Sequence, residues 1–202
     1  MKVSIVKYNA GNVFSVINAL KRLGVEPLLT DSPEELLSSD RVIFPGQGEA
    51  SHAMTYLRDH GLDKVICDLK QPVLGICIGQ QLLCRHSEEG DTDCLGIFPM
   101  DVKRFVPQDH EDKIPQMGWN SIHSSQLAVH SSQLFKGLND GDFVYFVHSY
   151  YVPLHDEYTI AKTHFTLDYS SAIHKDNFYA TQFHPEKSGR VGEQILRNFL
   201  EL

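Results

Sequence analysis

The sequence predicts an α/β fold with an open, mainly parallel, twisted sheet, helices on both of its faces and additional antiparallel strands. Two observations lead to this prediction. In the first half, apolar strand-like runs alternate with segments whose apolar residues recur at helical spacing. In the second half, short runs rich in β-branched and aromatic residues are separated by polar turns. With 202 residues, no repeat and no linker, we expect a single domain over residues 1–202.

The first half supplies the parallel part of the sheet. Strands are predicted at Lys2–Tyr8, Glu26–Thr30, Arg41–Phe44 and Val73–Ile76. The helix after the first strand has the apolar residues Val13, Val16, Ile17, Leu20 and Leu23, and Gly24 ends it. The next helix begins at Ser32, with Pro33 in its first position and Glu35 closing a capping box, and another begins near Ala50. Strands joined through helices pair in parallel, so their carboxyl ends share one edge of the sheet.

The second half supplies the antiparallel strands. They are predicted at Val102–Val106, Asp142–Val152, Tyr158–Thr163, Ser170–His174 and Phe178–Phe183. They either extend the main sheet or form a small second sheet. A helix from about Val191 to Leu202 closes the chain, with Ile195, Leu196 and Phe199 on its apolar face.

Composition excludes several classes of function. The net charge of -8 and the lack of a basic stripe argue against a nucleic-acid-binding protein. No apolar run is long enough to span a membrane, and Met1 leads directly into a strand, so we expect a cytoplasmic protein. The four cysteines, Cys67, Cys77, Cys84 and Cys94, form no C-x-x-C pair and no zinc spacing. Neither a disulfide framework nor a metal site is expected.

Cys77 is the first candidate for chemistry. It stands in Gly75-Ile76-Cys77-Ile78-Gly79, between a buried strand and a helix, which is the pattern of a nucleophile elbow. Small flanking residues permit a strained turn and a close backbone approach. The N–H groups at the start of the following helix favour the thiolate. The alternative is a buried structural cysteine in an ordinary turn.

A glycine-rich loop, Pro45-Gly46-Gln47-Gly48, follows the third predicted strand. Its glycines allow the backbone N–H groups to point into a cavity beside Cys77. Together with the N–H of Ile78, the residue after the nucleophile, Gly46, Gln47 and Gly48 are predicted to form an oxyanion hole. The alternative is a plain glycine-rich turn.

His184 and Glu186 follow the last predicted strand. In an extended segment residues i and i+2 point the same way, so Glu186 is predicted to orient and charge-stabilise the imidazole of His184. Nucleophile, base and orienting carboxylate would then be Cys77, His184 and Glu186. Most of the eleven histidines are expected to be structural, and His184 differs because a strand ends at it and a carboxylate follows.

Taken together, these motifs and the segment Gln182–Ser188 resemble the class I, triad-type glutamine amidotransferases, which have a flavodoxin-like sheet. More narrowly, the chain is similar to the glutaminase subunits of imidazole glycerol phosphate synthase. The segments that carry this narrower resemblance are Tyr8–Asn12, Pro115–Asn120 and Val147–Tyr151. The resemblance covers essentially the whole chain.

The resemblance implies an activity without a cofactor. Cys77 would attack the side-chain amide of glutamine, and His184, held by Glu186, would protonate the leaving ammonia and then activate water. Gln81 and the backbone near Ser149 and Tyr150 would help to bind the substrate.

The resemblance also implies a partner. A chain of this length has no room for a synthase domain, and free ammonia is protonated in water, so a tight complex with a sealed passage is expected. In the family the partner is a (β/α)₈ cyclase, HisF, docked over the glutaminase site. Asn12, Trp119, Asn120 and Lys187 would lie at or near that interface. The alternative for Trp119 is a core aromatic.

Gln47 departs from the family, because many members have Val in its place. We expect low basal glutaminase activity that rises when the partner binds its ligand. Three other interpretations stay open at this point: a glutaminase for a different synthase, for instance in surface-sugar amidation; another class of elbow-cysteine enzyme on a similar sheet; and an inactive regulatory subunit.

Overall fold

The computed structural model describes residues 1–8, 13–46, 48–108, 110, 112–124 and 132–202. The strands of this part are β1 (Val3–Val6), β2 (Leu28–Thr30), β3 (Arg41–Phe44), β4 (Val73–Ile76), β5 (Cys84–Ser87), β6 (Thr92–Asp93), β7 (Phe98–Arg104), β8 (Gln116–Ser121), β9 (His123–Ser124), β10 (Phe143–His148), β11 (Tyr150–Tyr151), β12 (Thr159–His164), β13 (Asp168–Lys175) and β14 (Phe178–Thr181). The α-helices are α1 (Phe14–Arg22), α2 (Pro33–Leu37), α3 (Ala50–Asp59), α4 (Leu62–Asp68), α5 (Ile78–Leu83) and α6 (Gly189–Glu201).

Eight strands form the main sheet, in the order β2-β1-β3-β4-β14-β13-β12-β9. The pairings from β2 to β14 are parallel, and those from β14 to β9 are antiparallel. A four-stranded sheet, β11-β7-β5-β6, and a two-stranded ribbon, β10-β8, complete the β structure of the described residues. The predicted fold class is confirmed, and the antiparallel strands both extend the sheet and form separate small sheets.

The sheet is covered by helices on both faces. The apolar residues of α2, α3, α4 and α5 pack on one face, and those of α1 and α6 pack on the other. The central strands β1 and β4 are therefore buried along their whole length. This explains why both are almost entirely apolar, as is usual for parallel strands. The exception is Ser4 in β1, whose hydroxyl pairs with Ser39 Oγ at 2.7 Å.

Most predicted elements are present, with shifted ends. β3 and β4 have the predicted bounds. The helical stretch after Ala50 is two helices, because Gly61 has φ +66° between α3 and α4. The predicted capping box is only half formed: Ser32 Oγ accepts from the Glu35 N–H, whereas the Glu35 carboxylate binds Lys2 Nζ instead.

The register of three strands builds one edge of the sheet. Gly75 on β4 pairs with Phe44 on β3, and Ile76 pairs with Thr181 on β14. The residues that follow these strands, namely the glycine-rich loop, Cys77 and the segment that contains His184, therefore meet at the carboxyl edge. This is where ligands bind in open α/β sheets. In the described part of the chain, no helix has the length and apolar character that crossing a membrane requires.

Candidate active site

Cys77 lies in a sharp turn between β4 and α5, with φ 54° and ψ -110°. Residues other than glycine rarely adopt a positive φ, so this turn holds the thiol in a strained position. Gly79 makes the turn possible, because a Cβ there would overlap the carbonyl oxygen of Phe44. The Cys77 N–H donates to the Thr181 carbonyl at 2.7 Å, which fixes the turn to β14. The local geometry is that of a nucleophile elbow.

His184 and Glu186 form a buried pair. Their side chains are 2% and 3% exposed, and His184 Nδ1 donates to Glu186 Oε1 at 2.7 Å. The prediction of an extended segment is wrong here, because Pro185–Lys187 is a 3₁₀ turn. His184 caps this turn and Glu186 is its second residue, so the two side chains still meet. The contact between His184 and Glu186 was predicted, but it is made by a 3₁₀ turn and not by an extended segment.

Cys77 and His184 interact electrostatically. Burial alone lowers the pKa of His184, but the Cys77 sulfur and the Glu186 carboxylate together raise it to about 10. Among the described residues, His184 Nε2 is buried without a hydrogen bond of ordinary geometry, although the Cys77 side chain is close enough to raise the pKa of His184. Contacts of this kind often tighten only when substrate is bound. The structure therefore brings Cys77, His184 and Glu186 together.

Gln182 is a site residue that the sequence analysis missed. Its side-chain Nε2 lies 3.7 Å from Cys77 Sγ, and its Oε1 accepts from Gln81 Nε2 at 3.0 Å. The sulfur also lies 3.8 Å from the carbonyl oxygen of Val147. Gln182 is fully buried, which is unusual for glutamine and requires polar partners. In the sequence Gln182 lies inside a predicted strand, and only the pairing of β14 with β4 brings it next to Cys77.

The glycine-rich loop lies directly against the elbow. A Cβ on Gly46 would overlap the carbonyl oxygen of Ile76 and lie 2.5 Å from Gly79 N. Gly48 has φ +129°, which only glycine adopts readily. Gln47 is outside the described residues. Ile78 is the first residue of α5, so its N–H has no acceptor within the helix.

The predicted substrate residues are linked to one another. Gln81 is buried, and its Nε2 donates to the Tyr150 carbonyl at 3.1 Å as well as to Gln182. The Ser149 carbonyl accepts from Phe105 N at 3.0 Å. The amide nitrogen of Gln81 thus uses both of its N–H groups inside the protein. Any contact between Gln81 and a substrate would have to involve its Oε1 atom.

His148 is a second buried histidine near the site. Its Nδ1 donates to the Tyr150 carbonyl at 2.7 Å, and its Nε2 lies 3.3 Å from the Tyr169 hydroxyl. Burial lowers its pKa, the bond to the Tyr150 carbonyl opposes this, and the nearby charge of His184 adds a smaller lowering, so that the pKa is about 4. His148 is therefore neutral at pH 7 and supports the backbone that holds Gln81.

Helix α6 supports the turn that contains His184. A Cβ on Gly192 would overlap the carbonyl oxygen of Pro185, so the helix backbone touches the turn directly. Ser188 Oγ donates to the His184 carbonyl at 2.6 Å and accepts from Tyr145 N at 3.0 Å. The Tyr145 carbonyl in turn accepts from His184 N at 2.9 Å. The turn is thus held between α6 and β10.

The ribbon β8-β10 presents an exposed apolar face beside the site. Trp119 is 55% exposed and contacts the Tyr145 ring edge-on at 6.1 Å, and Met117 and Phe143 are exposed nearby. Trp119 is therefore not a core aromatic. Asn120 donates to the His164 carbonyl at 2.8 Å. Lys187 is half-buried in the turn after His184, and Asn12 is outside the described residues.

A cleft of about 810 Å³ lies elsewhere, at the β9 and β12 edge of the main sheet, and includes His123, Asp140, His164 and Asp168 in its lining. It contains none of the predicted site residues. In the part of the chain that the structure covers, no three His, Cys, Asp or Glu side chains are arranged to hold a metal ion.

Comparisons with known proteins agree with this site. The sequence profile described as "Glutamine amidotransferase class-I" matches residues 5–202. The chain is 61% identical to the imidazole glycerol phosphate synthase subunit HisH of Bacteroides thetaiotaomicron over 202 residues, which is 100% of both chains. It is 43% identical to the HisH subunit of Idiomarina loihiensis over 204 residues, covering 100% of this chain and 98% of that one.

Solved structures share the fold. A Thermoplasma acidophilum protein described as a GMP synthase component superposes with a TM-score of 0.75 at 24% identity, covering 100% of this chain and 93% of that one. The glutaminase domain of a Trypanosoma brucei CTPS superposes with a TM-score of 0.67 at 14% identity, covering 100% and 94%.

The two HisH relatives do not favour a glutaminase that serves a different synthase. Their similarity extends over the whole length of this chain. The chain belongs to the class-I glutamine amidotransferases and, within them, to the HisH family of imidazole glycerol phosphate synthase subunits.

Proposed function

We propose that this chain is a single glutaminase domain that releases ammonia from glutamine through a thioester on Cys77 and passes it to a cyclase, HisF. The cyclase would use the ammonia to form imidazole glycerol phosphate and an aminoimidazole carboxamide ribotide in histidine biosynthesis, in the cytoplasm. The observation that carries the proposal is the buried His184–Glu186 pair beside the strained turn of Cys77.

In the first half-reaction, the Cys77 thiolate attacks the side-chain amide carbon of glutamine. The carbonyl electron pair moves to oxygen, giving a tetrahedral intermediate. His184, protonated beside the thiolate, gives its proton to the leaving nitrogen, and the C–N bond breaks to release ammonia. The raised pKa of His184 supports this role, because the imidazole carries the proton before the attack.

In the second half-reaction, neutral His184 takes a proton from water as the water oxygen attacks the thioester carbon. The C–S bond then breaks, glutamate leaves and the thiolate is restored. Glu186 holds the imidazole through its Nδ1 and stabilises the positive charge that His184 carries before the first attack and regains in the second half-reaction.

The negative oxygen of both intermediates needs donors. We assign this role to the N–H of Ile78 and to the loop of Gly46, Gln47 and Gly48. The close packing of Gly46 against the elbow supports the assignment, because it brings the loop backbone next to the nucleophile. We assign substrate binding to Gln81 and to the backbone of Ser149 and Tyr150. In support, Gln81 bonds both to the Tyr150 carbonyl and to Gln182, whose Nε2 lies 3.7 Å from the sulfur.

The exposed apolar face of the ribbon is assigned to the cyclase interface. Trp119 and Met117 lie on the same side of β8. Tyr145 pairs with Trp119 across the ribbon, and its backbone carbonyl accepts from His184 N. Exposed aromatic residues with apolar neighbours are typical of interface centres. Trp119, Asn120, Lys187 and Asn12 would contribute to this surface, which seals the site against loss of ammonia to water.

The central experiment mixes this chain with its candidate cyclase and follows glutamate release with and without the nucleotide ligand of the cyclase. We expect low turnover by the isolated chain and stimulation by the loaded cyclase. Cys77→Ala should abolish glutamate release without preventing complex formation. Equal turnover by the free chain and the complex would contradict the expected stimulation, and residual turnover in Cys77→Ala would contradict the assigned nucleophile.

The interface is tested separately by Trp119→Ala. Removing a central exposed aromatic should weaken binding of the cyclase by about tenfold or more. Leu154→Ala is the matched control, because Leu154 is also exposed but lines the distant cleft. Calorimetric titration measures both, and equal affinities for the two variants would contradict the assignment.

A further inference from the structure

Tyr8 connects the end of β1 to the glycine-rich loop. Its hydroxyl donates a hydrogen bond to the carbonyl oxygen of Pro45, and its ring packs on Phe44 with centroids 5.3 Å apart. The side chain is almost entirely buried, although a tyrosine hydroxyl is costly to bury without a partner. Pro45 immediately precedes Gly46, so the bond acts on the first peptide group of the loop.

A peptide group is planar, and in the trans form its C=O and N–H point in opposite directions. Fixing the Pro45 carbonyl therefore fixes the direction of the Gly46 N–H. On the other side of this peptide, Gly46 is wedged against Ile76 and Gly79 so closely that it has no room for a Cβ. The Pro45–Gly46 peptide is thus held at its carbonyl by Tyr8 and at its Cα by the elbow.

The Tyr8 hydroxyl also lies within electrostatic reach of the nucleophile. Burial raises the pKa of Tyr8 far above its ordinary value, and the negative charge of Cys77 raises it further. The phenol is therefore neutral throughout the working pH range and keeps its proton for the Pro45 carbonyl. A neutral donor at this place adds no negative charge beside the developing oxyanion.

We propose that Tyr8 is a positioning residue of the glutaminase reaction, which sets the Pro45–Gly46 peptide so that the loop can serve the oxyanion formed at Cys77. The proposal rests on the proposed function. It goes beyond that function by naming a side chain at the end of the first strand that acts only through the backbone of another segment. In the described part of the chain, the Tyr8 hydroxyl gives its hydrogen bond to the Pro45 carbonyl rather than to the sulfur.

The test is Tyr8→Phe, which removes only the hydroxyl and keeps the packing on Phe44. In complex with the loaded cyclase, kcat should fall about tenfold, less than the loss of a whole oxyanion donor, with KM for glutamine unchanged within about twofold. Tyr56→Phe is the matched control, because Tyr56 lies on α3 and stacks on His60. It should keep the wild-type kcat.

Two inhibitors separate positioning from a general disturbance. An aldehyde analogue of glutamine forms a C–S bond with Cys77, and its carbonyl oxygen takes the place of the oxyanion. Its affinity should fall about tenfold in Tyr8→Phe, as kcat does. Alkylation of Cys77 by iodoacetamide forms no oxyanion and should proceed at about the wild-type rate. Tyr8→Met, which fills the space without a hydroxyl, should give the same pattern.

A kcat of Tyr8→Phe and Tyr8→Met within about twofold of wild type would overturn the proposal. So would an equal fall in aldehyde affinity and alkylation rate, because that result indicates a structural role at Cys77. Absence of glutamine hydrolysis by the wild-type complex would instead contradict the proposed function itself, so the two failures are distinguishable.

Discussion

Two histidine–carboxylate pairs of this chain have the same N···O distance, but one pair is buried and the other is exposed. His184 to Glu186 and His164 to Asp168 both have an N···O distance of 2.7 Å. The first pair has side chains that are 2% and 3% exposed, whereas those of the second are 71% and 40% exposed. A distance criterion alone would rank them equally.

The difference lies in what surrounds each charge. Asp168 also binds Lys162, and this lysine does more than His164 to lower the pKa of Asp168. Water and salt screen that exposed cluster, so its ion pairs contribute little to the stability of the fold. Around His184 water is excluded, and the sulfur of Cys77 and the carboxylate of Glu186 act on the imidazole at low dielectric. Burial, more than distance, makes the first pair suitable for proton transfer.

The largest expected effect comes from removing the carboxylate of each pair in a separate variant and comparing the two. Glu186→Gln should lower kcat for glutamine hydrolysis by about 100-fold or more, because the imidazole loses its orienting charge. Asp168→Asn removes the equivalent carboxylate at the surface and should change kcat less than about twofold. Steady-state glutamate release by the complex measures both. Comparable losses in the two variants would mean that burial does not distinguish the pairs.

His148 sharpens the comparison, because it is buried without a carboxylate and its pKa is lowered to about 4. The unfolded chain takes up this proton near pH 6.5, whereas the folded chain does so only near pH 4. Acidification through this window should therefore cost up to about 3 kcal/mol of unfolding free energy.

Chemical denaturation at about pH 7 and about pH 4.5 measures this cost. His148→Gln has no such proton to bind, so its unfolding free energy should fall less than that of wild type between the two pH values. Parallel losses in wild type and variant would exclude His148 as the source.

Removing the Cys77 sulfur measures how much it contributes to the raised pKa of His184. Cys77 is the strongest of the groups that raise the pKa of His184, so in Cys77→Ala the His184 imidazole should titrate at a lower pH than in wild type. NMR of ring-labelled histidine follows this titration in wild type and in Cys77→Ala. An unchanged His184 titration would assign the raised pKa to Glu186 alone.

The smallest expected effect concerns Gln182, the amide donor at the sulfur. Gln182→Leu should slow alkylation of Cys77 by iodoacetamide about fivefold, the equivalent of one hydrogen bond of about 1 kcal/mol. Gln80→Leu is the matched control: Gln80 is equally buried, but its Nε2 donates to the Ser170 carbonyl rather than to the sulfur. We expect that variant to react at the wild-type rate, and an equal slowing in both would refute the assignment.

Sequence reasoning was most successful where the structure depends on local pattern. β3 and β4 were predicted at their observed bounds, because buried parallel strands are continuous apolar runs that end at a turn residue or at a change of pattern. The elbow and the glycine-rich loop were predicted as neighbours for a related reason. Parallel strands place their carboxyl ends together, and this topology follows from the order of the elements alone.

It was least successful where partners are distant along the chain. Nothing local in the sequence shows that Gln182 lies against Cys77 or that Tyr8 bonds to Pro45, because both contacts depend on strand order in the finished sheet. A small second sheet was one of the two predicted arrangements, but strand β8 and its pairing with β10 were not predicted. The prediction of an extended segment at Pro185–Lys187 was wrong for another reason, because a short 3₁₀ turn and a strand end have similar residue content.

The direct contact between Gly192 and the Pro185 carbonyl has a practical consequence for work with this protein. Although α6 supplies none of the proposed reacting groups, its backbone supports the turn that contains His184 and Glu186. A truncation that deletes residues 189–202 should therefore inactivate the enzyme, even though every residue of the triad would remain.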